Sequence, residues 1–124
     1  MKLVDTTIAV DYLRGVPEAV ALLTELVAAD DVAASELVRF ELLAGARDGE
    51  LEQLESFFSA LDWLPVGAEV SRVAGLLARR HRRAFSGIDD ADYLIAATAI
   101  VADAELLTTN VRHFPMLEGL QAAY

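Results

Sequence analysis

The sequence predicts an α/β fold: a short, mostly parallel sheet covered by helices on both faces. Two observations carry this. Short apolar stretches alternate with longer stretches of helical spacing, the pattern of strand–helix–strand units. The chain is also 124 residues long and 55 % apolar, enough for a sizeable core within one domain spanning residues 1–124. No internal repeat, low-complexity segment or linker interrupts the alternation.

The elements follow in order. Lys2–Val4 reads as the first strand. Thr7–Arg14 is a short helix closed by Gly15. Pro17–Ala29 has helical spacing, with Val20, Leu23 and Val27 along one side. Val32–Ala34 is the second strand, after which Ser35 caps a helix over Glu36–Ala46, ended near Gly45 or Gly49. Leu51–Leu61 is a further helix. Trp63–Val66 is the third strand, and Pro65 marks it as ending there or lying at an edge. Ala68–Arg83 is a long helix, and Asp90–Ala102 an apolar one with acids at its start. Glu105–Thr108 forms a strand that leaves through the turn "TNVRHFP", and Gln121–Ala123 is a candidate for one last short strand. In such sheets, sites form beyond the carboxyl ends of the strands. Asp5 stands at one such end and Thr108–Asn110 at another.

Composition excludes several classes. The chain has no cysteine, so a disulfide framework and a thiolate metal site are impossible. That fits a reducing cytoplasm. The N-terminus lacks the basic segment and long apolar core of a secretory signal. The longest apolar run, Leu94–Ala102 with Thr98 inside it, is too short to span a bilayer. Twenty acids against ten bases leave a formal charge of −10, the wrong sign for binding nucleic acid by bulk charge. The bases are uneven, however: "RRHRR" gathers Arg79, Arg80, Arg82 and Arg83 around His81. This stretch is either a solvated helix end, where cations suit the dipole, or a phosphate contact. Two histidines, His81 and His113, are too few for an imidazole metal site.

The acids are more informative. Glu41 lies in "SELVRFELLAGA", with Leu37, Val38, Ala44 and Gly45 on its own helix face. A carboxylate there is at least half buried, and burying one unpaired costs several kcal/mol. Arg39 points to another face and is a poor partner, so a distant arginine or a cation would have to compensate it. Asp92, with Asp89 one turn earlier, shares its side with Ile88, Ile95, Ala96 and Ala99. Helix-dipole stabilisation is one account of it and ion binding another. Asp5 either caps the helix that follows or holds a cation. Asp11 and Asp103 read as surface residues. If Asp5, Glu41 and Asp92 converge, their repulsion calls for protonation or a cation. Oxygen ligands without histidine or cysteine suit Mg²⁺ or Mn²⁺, ions that stabilise charge on a phosphoryl group.

At this point the residues resemble a known family. "LVDTTIAVDYLRG", "SELVRFELLAGA", "DADYLIAATAIVADAELLTTNVRHF" and the trailing "GL" are similar to PIN-domain ribonucleases, more narrowly the VapC toxins of toxin–antitoxin pairs. The resemblance runs over nearly the whole chain. It implies a three-layer α/β/α sandwich and Mg²⁺- or Mn²⁺-dependent endoribonuclease activity, cleaving RNA phosphodiesters by metal-activated water. The family's first three acids fall on Asp5, Glu41 and Asp92, with Asp5 and Asp92 implied as direct ligands and Glu41 binding directly or through water. Thr6, Thr108 and Asn110 would steady waters or carboxylates. The places of a fourth acid hold Asn110 and His113, which departs from the pattern and makes Asn110 a neutral orienting group. A cognate antitoxin covering the active-site groove, an RNA substrate and a homodimer are the implied partners, in the cytoplasm and away from membranes. Two other classes compete. A receiver-type phosphoacceptor needs a late lysine, and the chain has none after Lys2. A PIN-fold module that binds antitoxin with a weak or inactive site is supported by the missing fourth acid.

Overall fold

The computed structural model describes all 124 residues. Four strands, β1 (Lys2–Val4), β2 (Val32–Ser35), β3 (Asp62–Leu64) and β4 (Glu105–Leu107), form one sheet in the order β3-β2-β1-β4. Every neighbouring pair is parallel, with Leu3 opposite Ala33 and Leu106, and Ala34 opposite Trp63. Each strand is only three or four residues long. The central two are largely apolar, as strands covered on both faces must be. β3 is an edge strand, in keeping with the Pro65 that follows it.

Six helices flank the sheet: α1 (Thr6–Leu13), α2 (Pro17–Ala28), α3 (Glu36–Ala44), α4 (Leu51–Phe58), α5 (Ala68–His81) and α6 (Asp90–Ala102). The chain steps from β1 through β2 to β3 in one direction, then jumps back past β1 to β4. Right-handed crossovers therefore put α1–α4 on one face and α5–α6 on the other, the expected three-layer arrangement. They also create a switch point between β1 and β4, where connections leave in opposite directions.

Local chemistry explains the helix starts. Asp5 caps α1, accepting Thr6 N–H through Oδ1 at 2.7 Å, and Ser35 caps α3, accepting Leu37 N–H at 3.2 Å. Pro17 opens α2 at a position where no backbone N–H is needed. Gly15, with φ +77°, makes the turn out of α1 that side-chain-bearing residues resist.

A core of 19 buried residues joins Leu3, Val4, Ile8, Leu23, Val38, Phe57, Phe58, Ile95 and Phe114. Burial of each such large side chain stabilises by about 1.5–3 kcal/mol. A second cluster, Val70, Ala74, Tyr93 and Ala97, seals α5 against α6. No helix is long and apolar enough to cross a membrane.

Two expectations need correction. Gln121–Ala123 forms no strand; its one backbone link to the end of β4 is Ala123 N–H donating to Thr108 C=O at 2.9 Å. α4 stops at Phe58 rather than Leu61. There the chain turns so that Trp63 Nε1 donates to Phe58 C=O at 2.8 Å.

Candidate active site

Three elements deliver the acids. β1 leads into Asp5, which is 4 % exposed and lies at the switch point. Its backbone N–H donates to Leu107 C=O at 2.9 Å, locking it beside the end of β4. Its Oδ2 accepts Thr108 Oγ1–H at 2.8 Å and Thr7 Oγ1–H at 3.3 Å. With Thr6 N–H on Oδ1, the carboxylate is held on three sides. Asp5 therefore caps the helix and faces the site as well; the two roles are compatible.

Glu41, in the middle of α3, is half-buried and accepts Thr6 Oγ1–H at 2.9 Å. Thr6 thus ties the second acid to the element that follows the first. Asp92, in the first turn of α6, accepts Asp89 N–H at 3.3 Å, closing a capping box. The same Oδ2 lies 3.1 Å from His113 Nδ1. Asp5, Glu41, Asp89 and Asp92 line one open cavity of about 420 Å³, together with Thr6, Thr7, Asp11, Arg14, Asn110 and His113.

Electrostatics mark this convergence. Burial pushes the Glu41 carboxyl up; the Thr6 hydrogen bond opposes this, and the charges of Asp5, Asp92 and Asp89 add to it. Burial likewise raises Asp92, as does the charge of Asp5, against the pull of Asp89 N–H and His113. Such like-charged clusters in clefts are typical of functional sites.

The donor set fits a hard divalent cation. It is oxygen-rich, and the hydrogen bonds at the site use only Oε1 of Glu41 and only Oδ2 of Asp92. The hydroxyl of Tyr93 is the only buried side-chain polar atom without a partner. The other oxygens of Glu41 and Asp92 are therefore not sealed inside apolar protein. As the side chains stand, no three acid or imidazole groups form a finished ligand cage.

The structure brings together all four sequence-predicted residues, Asp5, Glu41, Asp92 and Asn110. Asn110 is held through its backbone, whose N–H donates to Thr108 Oγ1 at 2.9 Å. Asp11 departs from expectation. It is half-buried, lines the cavity and accepts Tyr124 O–H at 2.6 Å. Sequence reasoning also missed Thr7, which braces Asp5 and accepts Thr109 N–H at 3.4 Å, and Arg14 on the rim. The signal for Thr7 was its place directly after Asp5 and Thr6, and that for Arg14 its position two helical turns beyond Thr6 and Thr7. Arg39 pairs with Glu36 at 2.7 Å and stacks on Trp63, 4.2 Å from the ring centroid. The "RRHRR" stretch ends α5 with its arginines exposed; Arg82 pairs with Asp90 at 2.6 Å, and none of them lines the acid cavity.

Comparison with known proteins places the chain in a family. The sequence model described as PIN domain matches residues 2–118. Ribonuclease VapC19 of Mycobacterium tuberculosis is 64 % identical, with 100 % of both chains covered. Ribonuclease VapC10 of the same organism is 37 % identical over 100 % of this chain and 93 % of its own. Among solved structures, VapBC2 from Rickettsia felis, bound to a promoter DNA fragment, superposes with a TM-score of 0.80. It is 26 % identical and covers 98 % of this chain and 96 % of its own.

Proposed function

The chain belongs to the PIN-domain family, as a VapC-type ribonuclease toxin of a toxin–antitoxin pair, and from that premise we infer that Asp5, Glu41 and Asp92 hold the divalent cation with which it hydrolyses RNA. The observation that carries this reading is the meeting of three carboxyls from β1, α3 and α6 in one cavity, two of them with raised affinity for protons. Burial raises both, the neighbouring charges add to it, and a cation would relieve each effect. Held there, Mg²⁺ or Mn²⁺ would supply Lewis acidity toward the phosphodiester and would acidify a water.

The chain's own residues do the positioning. Thr108 and Thr7 orient Oδ2 of Asp5, and Thr6 orients Glu41. Asp89 N–H and His113 restrain Asp92. Asn110, on the cavity wall, orients substrate or water as a neutral group. Such outer contacts fix ligand geometry.

The partners that follow are a cognate antitoxin, whose segment covers the cavity and so blocks RNA, and a second copy of the chain in a homodimer. The cytoplasm is the compartment this reading implies. One observation favours the alternative of an antitoxin-binding module with a weak site: His113, not a fourth acid, faces Asp92.

Titration calorimetry with Mn²⁺, followed by an RNA-cleavage assay, separates the two readings. Wild-type protein binds the ion and cuts; Asp5→Ala and Asp92→Ala stay folded and lose about 100-fold or more in rate. Full activity in the Asp5→Ala/Asp92→Ala double variant rules out the carboxylate site.

A further inference from the structure

The acid cavity does not end at Glu41. A second cavity of about 360 Å³ adjoins it between α1, α3 and α4, and the two share Thr6, Val10, Arg14 and Glu41 as lining. Arg14 therefore stands where the cavities join. Arg47 lines the second cavity. The chain is short of cations, ten against twenty acids, and Lys2, Arg39 and Arg82 are already paired with Glu105, Glu36 and Asp90. Arg14 and Arg47 make no ion pair, although Glu50 shares the same lining. Glu50 instead accepts the backbone N–H of Arg47 at 2.6 Å, which leaves the guanidinium uncommitted.

We propose that the substrate strand leaves the acid cavity along this trough, with Arg14 and Arg47 each gripping a backbone phosphate beside the scissile bond. The proposal rests on the ribonuclease reading above and adds the path of the substrate across the surface. A phosphodiester chain crossing three carboxylates is repelled wherever no divalent ion screens it. The next phosphates along therefore need fixed cations, and guanidinium is the side chain whose planar fork matches them. The arginines of α5 line neither cavity, so they are not part of this path.

The test compares wild type with Arg14→Ala, Arg47→Ala, the double variant and an Arg79→Ala/Arg80→Ala control. Binding of a fluorescein-labelled single-stranded RNA is followed by anisotropy in EDTA across a salt series, and cleavage kinetics are measured with Mn²⁺. Removing one arginine from a phosphate lowers the slope of log K against log salt by about 0.7 for a single strand. The expected result is that slope change for each arginine, a KM raised several-fold with kcat little altered, and an unchanged control. Arg14→Lys recovers the slope, because the charge returns.

A double variant with wild-type slope and KM overturns the proposal while wild-type cleavage leaves the ribonuclease reading intact. So does a double variant that loses affinity for the antitoxin alone. A wild-type protein that neither binds nor cuts RNA overturns both.

Discussion

Thr108→Val should separate the site's internal support from ordinary core packing. Thr108 is 0 % exposed, and its hydroxyl donates to Asp5 Oδ2 at 2.8 Å while accepting Asn110 N–H at 2.9 Å. Valine preserves the shape and removes both bonds, together with a long 3.4 Å contact to the Thr7 hydroxyl. A hydrogen bond to a charged group contributes about 1.5–3 kcal/mol, and stranding the part-buried Asn110 N–H adds about 1 kcal/mol. The new methyl returns about 0.8 kcal/mol, for a net loss of roughly 2–3 kcal/mol. Thr98→Val is the matched control. Thr98 is 1 % exposed and donates to the helical carbonyl of Leu94 at 2.7 Å. Only a neutral bond of about 1 kcal/mol disappears there, and the methyl offsets it. Urea unfolding at pH 7 is the assay. With a slope near 2 kcal/mol per molar, Thr108→Val lowers the midpoint by about 1–1.5 M, and Thr98→Val moves it by under about 0.3 M. Equal shifts for the two variants would show that the carboxylate bond adds nothing, and the account of Asp5 as a braced ligand would fall.

Stability should also depend on pH through Glu41 and Asp92. Both carboxyls are raised, so the fold favours their protonated forms; that stabilisation is complete below the ordinary carboxylate pKa and is lost as pH rises through the raised values. Thermal melts without divalent ions should show Glu41→Gln gaining on wild type as pH rises above the ordinary carboxylate range, and a constant difference contradicts this. Mn²⁺ at 100 times its dissociation constant should stabilise wild type by about 2.7 kcal/mol, a gain absent from Asp5→Asn in the same scan. Arg39→Met should redden Trp63 fluorescence, because the guanidinium covers the ring at 4.2 Å; an unchanged spectrum denies the stack. Tyr124→Phe, which removes an exposed bond to Asp11, should cost under about 1 kcal/mol. It should speed hydrogen exchange at Ala123, and unaltered exchange would mean the tail is held elsewhere.

Much of this was legible along the chain because it is local. The apolar stretch Lys2–Val4, the caps at Asp5 and Ser35, and the placement of Glu41 and Asp92 on apolar helix faces all follow from spacing within a few residues. A carboxylate on an apolar face announces burial wherever that face packs. Spacing does not say which faces meet. The strand order, with β4 beside β1, came only from packing, and it alone sets Thr108 against Asp5 across 103 positions. Arg14 figures in the sequence only as the end of a helix, and the fold puts it on the cavity rim. Asp11 reads as a surface acid until the tail brings Tyr124 to it. The expected last strand fails for the same reason: Gln121–Ala123 follows the spacing of a short strand, yet the tail makes one ladder-type bond and no more. Local periodicity records what each segment must hide from water, whereas the identity of its partner is decided by long-range contacts that no single segment encodes.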